Sequence, residues 1–357
     1  MSDHSITANN LYNKNIEYSK LAFKQDNMLP HRYVLILTNL CNLACSFCFQ
    51  DRKKNANRMS FEDWIKFVNE IPNDSRLTLT GGEPLVFKGF DEIFKLSSKK
   101  CDTNIVSNGL LLDTQKIDLL LSAERFRVLG ISIDTIGNTN RDFKAGAWEK
   151  LVNSITEFRK KRDNLKHNCA IDLKTVVLDE NIPDLFKIHK YFVEDLECDT
   201  HSIQLLKGAE IQYSDLMFDY EAIDKKYRAY EYKNFNMLID QLNMIREYNI
   251  KFNKKSYLHP NIIDLNSDKK ILIKDYSYLN NEDHDASKFK GCLSPWTSLH
   301  VNVDGNIFPC MAVPMGNVKK QSLKDIFFSE KFKEFRRTIR QKKTLRGCNR
   351  CGWLKAT

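Results

Sequence analysis

The first half of the chain alternates short apolar runs with polar stretches in which apolar residues recur at helical spacing. The apolar runs predict strands near residues 33–38, 76–80, 103–106, 127–133, 171–178 and 202–206. The stretches between them predict helices near residues 60–70, 89–99, 113–122, 146–162 and 182–194. Ser60 and Asp113 are residue types that commonly begin helices. Because strands that alternate with helices indicate stacked βα units, we expect an α/β fold with six parallel strands over residues 31–206.

The alternation stops after this region. Residues 219–248 have the apolar spacing of a long polar helix, and residues 250–290 have no clear period, so we expect a helical bridge or cap over 207–291. Residues 1–30 then form an N-terminal extension, and residues 292–357 form a separate C-terminal module. Within that module, Asp304-Gly305 between alternating apolar residues predicts a hairpin. The apolar residues from Leu323 to Ile339 are spaced as in one amphipathic helix.

The composition is that of a soluble globular protein, with 42% hydrophobic and 28% charged residues in 357. The chain has no secretory signal pattern and no apolar stretch long enough to span a membrane, so we expect a cytoplasmic protein with no membrane partner. Ten cysteines in such a protein favour metal ligation over disulfides.

The net charge of +9 is concentrated near the C-terminus, since residues 319–346 hold eleven Lys and Arg against three Asp and Glu. Two interpretations stay open for this segment: a solvated helix face, or an electropositive surface for an acidic substrate, peptide or nucleotide. The chain has no aromatic-basic repeat and no nucleic-acid-binding motif, which makes a nucleic-acid partner unlikely.

Three cysteines cluster on one short segment after the first predicted strand. Cys41, Cys45 and Cys48 have C-x3-C-x2-C spacing. Three thiolates hold three irons of a four-iron cluster and leave the fourth iron open to another ligand. A zinc site would normally have four ligands, and a ferredoxin-type run would have a fourth cysteine nearby. The spacing therefore favours a cluster with one open iron.

Two further motifs follow the next two predicted strands, namely Thr80-Gly81-Gly82-Glu83-Pro84 and Ser107-Asn108-Gly109. Together with the cysteine spacing, they resemble the radical S-adenosylmethionine (SAM) enzymes. The resemblance implies a partial (β/α)6 TIM-like barrel in which SAM binds the open iron. Reductive cleavage of SAM would then give a 5′-deoxyadenosyl radical that abstracts hydrogen from a substrate. All three motifs fall at the carboxyl ends of strands, where βα barrels carry their chemistry.

The resemblance assigns nine positions to SAM binding: Phe47, Gly81, Gly82, Glu83, Ser107, Asn108, Ser132, Lys144 and Leu205. Phe47 is also explained as a buried core residue, and Asn108-Gly109 as an ordinary turn. Lys144 occupies a position where the family frequently has arginine, and lysine lacks its planar two-pronged donor geometry. Arg141 is the nearby substitute candidate.

The C-terminal block contains four cysteines, Cys292, Cys310, Cys348 and Cys351, spaced as in the twitch domain, a shortened relative of the SPASM domain. The resemblance implies a hairpin plus helix that hold one auxiliary 4Fe-4S cluster, so that the protein carries two such clusters. Zinc is the rival ligand, because four cysteines also make a tetrahedral zinc site. Cys101, Cys169 and Cys198 remain, and we expect small buried hydrophobic residues there.

Enzymes of this design oxidise small alcohols, rearrange nucleotides or modify ribosomally made peptides. About thirty residues precede the first predicted strand, too few for the separate leader-binding unit of many peptide modifiers. We therefore expect a small molecule such as a sugar or cyclitol to be oxidised, with the auxiliary cluster taking the second electron. A peptide maturase that makes a crosslink, thioether or epimer is the alternative. The third possibility is an iron–sulfur electron-transfer or binding protein without SAM chemistry, against which the intact Gly-Gly-Glu-Pro loop counts. A flavodoxin- or ferredoxin-type donor would supply the electron.

Overall fold

The computed structural model describes residues 4–48, 50, 58–206, 230–268, 285–309, 313–348 and 350–354. The helices are α1 His4–Gln25, α2 Phe61–Glu70, α3 Phe90–Lys100, α4 Thr114–Leu121, α5 Ala147–Asn164, α6 Leu185–Glu194, α7 Phe235–Phe252, α8 Ser294–Thr297, α9 Leu323–Phe327 and α10 Glu330–Lys342. The strands are β1 Arg32–Ile36, β2 Arg76–Thr80, β3 Asp102–Ser107, β4 Phe126–Ser132, β5 Ala170–Val177, β6 Thr200–Leu205, β7 Ser256–His259, β8 Ser298–Val301, β9 Asn306–Phe308 and β10 Gly316–Asn317.

The strands form one sheet in the order β10-β9-β8-β1-β2-β3-β4-β5-β6-β7. The six strands expected from the sequence are present and pair in parallel. Two further strands extend this parallel array, because β7 pairs with β6 and β8 pairs with β1. The barrel therefore continues into the expected bridge and into the C-terminal module.

Local signals for the helices between the strands act as the sequence indicates. Ser60 caps α2 in a capping box with Asp63, and Asp113 caps α4 by accepting from the backbone N–H of Lys116. The helices bury their apolar faces against the outside of the sheet, where Trp64 and Phe94 are fully buried. The α/β barrel prediction is thus confirmed, and the inner face of the sheet is left to form the site.

The N-terminal extension begins with a helix, α1, which the sequence pattern did not indicate. It contacts β4, β5 and α8. Tyr18 donates a hydrogen bond of 2.5 Å to the carbonyl of Leu29, and Asp26 after the helix accepts one of 2.6 Å from the Trp296 indole. Asn13 of α1 lines a cavity enclosed by the amino-terminal halves of the barrel strands. The extension therefore closes one end of the barrel.

Two helix predictions need correction. The expected single helix from Leu323 to Ile339 is two helices, α9 and α10, because Ser329 accepts a hydrogen bond from the N–H of Phe332 and so begins a new helix. Of the helix expected over 219–248, residues 219–229 lie outside the described part of the chain, and α7 continues to Phe252.

The predicted hairpin is confirmed as β8–β9, with Gly305 in its turn at φ +85°. Among the described residues, no helix has the length and apolarity needed to cross a membrane.

Candidate active site

The cysteine segment lies between β1 and α2, and its sulfurs receive hydrogen bonds from the backbone. The N–H of Leu43 lies 3.4 Å from the sulfur of Cys41, and the N–H of Gln50 lies 3.4 Å from the sulfur of Cys48. These backbone contacts hold the two sulfurs in place. All three cysteines of the segment are partly exposed, as ligands to a group in an open cavity must be.

These cysteines face a cavity of about 300 Å³ at the carboxyl ends of the strands. The cavity is lined by Cys41, Leu43, Cys45, Phe47, Cys48, Thr80, Gly81, Gly82, Val106, Ser107, Asn108, Ser132, Arg141, Val176, Gln204, Leu205 and Leu206. Seven of the nine positions assigned to SAM thus meet at one place. Glu83 and Lys144 do not line it.

The two glycines after β2 lie against the chain that leads into the cysteine segment. The N–H of Gly82 donates to the carbonyl of Thr38 at 2.6 Å, and the N–H of Glu83 donates to the carbonyl of Leu40 at 2.8 Å. A Cβ at Gly82 would lie 2.3 Å from the carbonyl oxygen of Leu40, and one at Gly81 would lie 2.6 Å from that of Thr38. Only glycine permits this approach, which fixes the cysteine segment to the second strand.

Glu83 is fully buried and directs its carboxylate toward the end of β3. One carboxylate oxygen accepts from the hydroxyl of Ser107 and the other from the N–H of Asn108, both at 2.8 Å. Burial raises the pKa of Glu83 to about 7, although these hydrogen bonds oppose the shift. Glu83 therefore positions the loop that carries Ser107 and Asn108, whereas the sequence resemblance assigned it a contact with SAM.

The positive charge at the cavity comes from Arg141, which follows β4. Its Nε lies 2.5 Å from Oδ2 of the buried Asp134, and its guanidinium lies 5.2 Å from the centre of the Phe47 ring. Lys144 is exposed and outside the cavity lining. Asn138 in a left-handed conformation and its side-chain bond to the N–H of Asp134 make a tight turn that brings Arg141, three residues earlier than expected, into the cavity.

A second set of cysteines lies together in the C-terminal module. Burial raises the pKa of the Cys292 thiol, and Cys348 and Cys351 lie close enough to raise it further. Backbone bonds from Cys292 to Lys343 and from Cys351 to Cys348 fix the segment. Cys310, the fourth expected ligand, lies outside the described residues.

Both cysteine sets fit the demands of an iron–sulfur cluster. In the ranges that the structure describes, no three His, Cys, Asp or Glu side chains converge on one point as a single metal ion requires. A four-iron cluster differs, because each thiolate binds its own iron. Burial raises the pKa of Cys45, opposed by Arg141, so a thiolate there depends on a positively charged partner.

The remaining cysteines, Cys101, Cys169 and Cys198, are buried in the hydrophobic core. Burial raises the pKa of Cys101 to about 11 and raises the pKa values of the other two thiols as well. The interpretation of these three residues as small buried hydrophobic side chains is consistent with their surroundings.

Comparison with known proteins finds two family matches in the chain. Residues 35–189 match the radical SAM superfamily, and residues 292–352 match the iron–sulfur cluster-binding domain called SPASM. The chain is 24% identical over 310 residues to the sporulation killing factor maturation protein SkfB of Bacillus subtilis, covering 84% of this chain and 65% of that relative, just under two thirds of its length. It is 23% identical over 301 residues to the GTP 3′,8-cyclase of Campylobacter fetus, covering 81% and 82%.

A solved structure shows the fold over nearly the whole chain. The structure is that of Streptococcus suis SuiB bound to the precursor peptide SuiA, with a TM-score of 0.61, 14% identity and coverage of 95% of this chain and 74% of that one. Radical SAM domains bind SAM at a 4Fe-4S cluster, and SPASM domains bind auxiliary iron–sulfur clusters, in agreement with the two cysteine sets. The chain therefore contains a radical SAM domain over residues 35–189 and, C-terminal to it, an iron–sulfur cluster-binding domain of the SPASM type over residues 292–352.

Proposed function

We propose that this enzyme modifies a ribosomally made peptide. The proposal rests chiefly on the fold shared with SuiB, a protein solved in complex with its precursor peptide, and the similarity to the maturation protein SkfB supports it. The sequence alone favours a small molecule, because few residues precede the first strand. Because the chain spans only 65% of the length of SkfB, the number of residues before the first strand is no argument against a peptide substrate. The comparisons favour the peptide alternative.

The chemistry we propose is a net two-electron oxidation of the peptide. When bound, SAM and the first cluster supply a hydrogen-abstracting 5′-deoxyadenosyl radical, and the auxiliary cluster supplies an acceptor for the remaining electron. The substrate thus loses one hydrogen atom, one electron and one proton, and a flavodoxin- or ferredoxin-type donor provides the electron that cleaves SAM. Leu43, Val176 and Leu206 give the cavity apolar walls that exclude water from a reactive carbon. Arg141 and Ser132 offer polar contacts to SAM.

The test uses the anaerobically reconstituted protein, dithionite, SAM and the short peptides encoded beside its gene. Deoxyadenosine formation together with a peptide mass lower by two hydrogens supports the proposal. An isomerised peptide of unchanged mass would replace the oxidation by a redox-neutral modification. Turnover of GTP or a sugar in place of every peptide would overturn the proposal and favour the nucleotide chemistry in the name of the cyclase relative.

The role of the auxiliary site is tested in the Cys348→Ala/Cys351→Ala variant. We expect continued deoxyadenosine formation without oxidised peptide, because the second electron has no acceptor. An unchanged yield of oxidised peptide per deoxyadenosine would mean that this site is structural.

A further inference from the structure

We name the 300 Å³ cavity that the first cysteine set faces the SAM cavity. A second cavity, of about 360 Å³, lies inside the barrel below it. On β2, β3 and β6, a residue of the lower cavity lies two positions before a residue of the SAM cavity: Thr78 before Thr80, Asn104 before Val106, and Ser202 before Gln204. Because residues two positions apart on a strand face the same side at about 7 Å spacing, the two cavities are stacked. Val106 lines both of them. A group in the lower cavity, which we name the lumen site, therefore lies one residue layer from the SAM cavity.

The lumen site is rich in positive charge. Arg32 of β1, Arg76 of β2 and Lys174 of β5 line it. Asp172 is the acidic residue on the described strands that line it, and it already forms an ion pair with Lys174. The other acidic lining residue, Asp264, is exposed at the mouth. Three cations therefore face one inner carboxylate.

The two guanidinium groups have only neutral contacts in the described part of the chain. Nη1 of Arg32 donates to the hydroxyl of Ser298 at 2.6 Å. Nε and Nη2 of Arg76 each lie 2.9 Å from the oxygen of the Asn104 amide in its hydrogen-bonded orientation. No described carboxylate lies within 4 Å of either arginine, in contrast to Arg141 with Asp134.

Both arginines are buried, and burial disfavours their charged form. The pKa of Arg32 is lowered to about 9, mainly by burial and also by the neighbouring Arg76, while the nearby Cys351 opposes the shift. Burial also lowers the pKa of Arg76, while Asp172 and Asp102 at longer range raise it. Asp102 itself is paired with Arg127 at 3.0 Å. A buried cation without a contacting counter-ion is costly, and an anion in the cavity would remove that cost.

We propose that the lumen site binds a carboxylate side chain of the peptide substrate, an Asp or Glu, through Arg32 and Arg76. The planar guanidinium fork matches a carboxylate with two parallel hydrogen bonds. A peptide carries such a carboxylate on its Asp and Glu side chains. The assignment therefore rests on the proposed peptide function. Bound there, the acidic side chain fixes the position of the neighbouring backbone beneath SAM and selects which residue reacts.

The first experiment measures the anion site without a peptide. Glutarate is titrated calorimetrically into the SAM-loaded, cluster-loaded enzyme, with glutaramide as the neutral counterpart. We expect glutarate alone to bind, with at least tenfold weaker binding in Arg76→Gln and partial recovery in Arg76→Lys. Arg337→Gln is the matched control, because Arg337 is exposed on α10 and should leave glutarate binding unchanged. If Arg76→Gln does not fold, Lys174→Gln at the cavity wall replaces it. Absence of glutarate binding, or binding of inorganic phosphate in its place, overturns the carboxylate assignment.

The second experiment separates this inference from the proposed function. In a peptide that is modified, exchange of each Asp and Glu for Asn and Gln should raise KM about tenfold at one position, whereas amidation of the C-terminus should not. An effect of C-terminal amidation alone would overturn the side-chain assignment in favour of the terminal carboxylate. Unchanged KM at every position would overturn the inference while the peptide function stands. Arg76-dependent glutarate binding with no peptide modified would leave the anion site in place and overturn the peptide function.

Discussion

The SAM cavity and the lumen site are built from successive layers of the same strands, yet they differ in how the sequence encodes them. The SAM cavity uses loops at strand ends, where several consecutive residues contribute, as in Cys41–Cys48, Gly81–Gly82 and Ser107–Asn108. The cations of the lumen site, Arg32, Arg76 and Lys174, come one from each of three strands and are separated by tens of positions in the chain. The comparison teaches that the SAM cavity is encoded in local motifs, whereas the cationic groups of the lumen site are distributed along the chain.

The largest effect should follow loss of the first cysteine set. In the triple variant Cys41→Ala/Cys45→Ala/Cys48→Ala we expect no deoxyadenosine from SAM and about half of the roughly eight irons per chain, because the second cluster is held independently. Iron analysis and chromatography of the reaction check both numbers. The buried Cys101→Ala variant should retain all the iron. Zinc in place of the remaining iron would contradict the auxiliary 4Fe-4S site.

The next effect concerns Glu83, which links two of the local motifs. Its pKa rises on folding from 4.5 to about 7 through burial, so the native state binds more protons than the unfolded state within this range. Stability from this group is present below pH 4.5, falls as pH rises to about 7, and changes no further above that. The loss amounts to about 3 kcal/mol.

Urea unfolding of the metal-free protein at several pH values measures this effect as the difference between the native chain and Glu83→Gln. Glutamine does not titrate, so we expect the two curves to separate between pH 4.5 and about 7. Glu330→Gln is the control, because Glu330 is exposed and its hydrogen bond with Lys333 lowers the pKa of its carboxyl. The free energy of unfolding of this variant should stay parallel to that of the native chain between pH 4.5 and about 7. Parallel curves for the native chain and Glu83→Gln would mean that Glu83 is ionised throughout.

A smaller loss should come from Gly82→Ala. The added Cβ would lie 2.3 Å from the carbonyl oxygen of Leu40, so the loop after β2 must move away from the cysteine segment. A shift of this kind costs about 100-fold in the rate of deoxyadenosine formation. Gly291→Ala is the matched control, because a Cβ at Gly291 meets nothing within 4 Å and its φ is ordinary. Equal rates for the two variants would show that the close packing at Gly82 does not matter for catalysis.

Much of the fold was readable from the sequence because six strands and their helices carry strong local patterns. β7 was missed because it has only four residues, Ser256–His259, in a lysine- and asparagine-rich stretch. β8 was expected only as part of a hairpin, and its parallel pairing with β1 joins Arg32 to Ser298 across 266 positions. No local pattern encodes such a contact.

In the candidate site, too, residues in local motifs were predicted and residues brought together from distant positions were not. The first cysteine set, the two glycines and Ser107-Asn108 were predicted because each motif is continuous in the sequence. The basic residue was assigned by counting twelve positions from Ser132 to Lys144, whereas the turn at Asn138 brings Arg141 to the cavity. The assignment of Lys144 stays a prediction. The lumen arginines lie at the first positions of β1 and β2, where the sequence shows only isolated charges beside apolar runs.

The smallest effect we predict distinguishes Arg141 from Lys144 as the cation for SAM. Arg141→Lys keeps the charge near Asp134 but loses the planar donor fork, so we expect about tenfold weaker SAM binding. Lys144→Ala should bind SAM normally, since Lys144 is exposed and outside the cavity lining. Equilibrium dialysis of SAM with both cluster-loaded variants measures the difference. The reverse order of affinities would restore Lys144 as the SAM ligand and assign Arg141 only to its ion pair with Asp134.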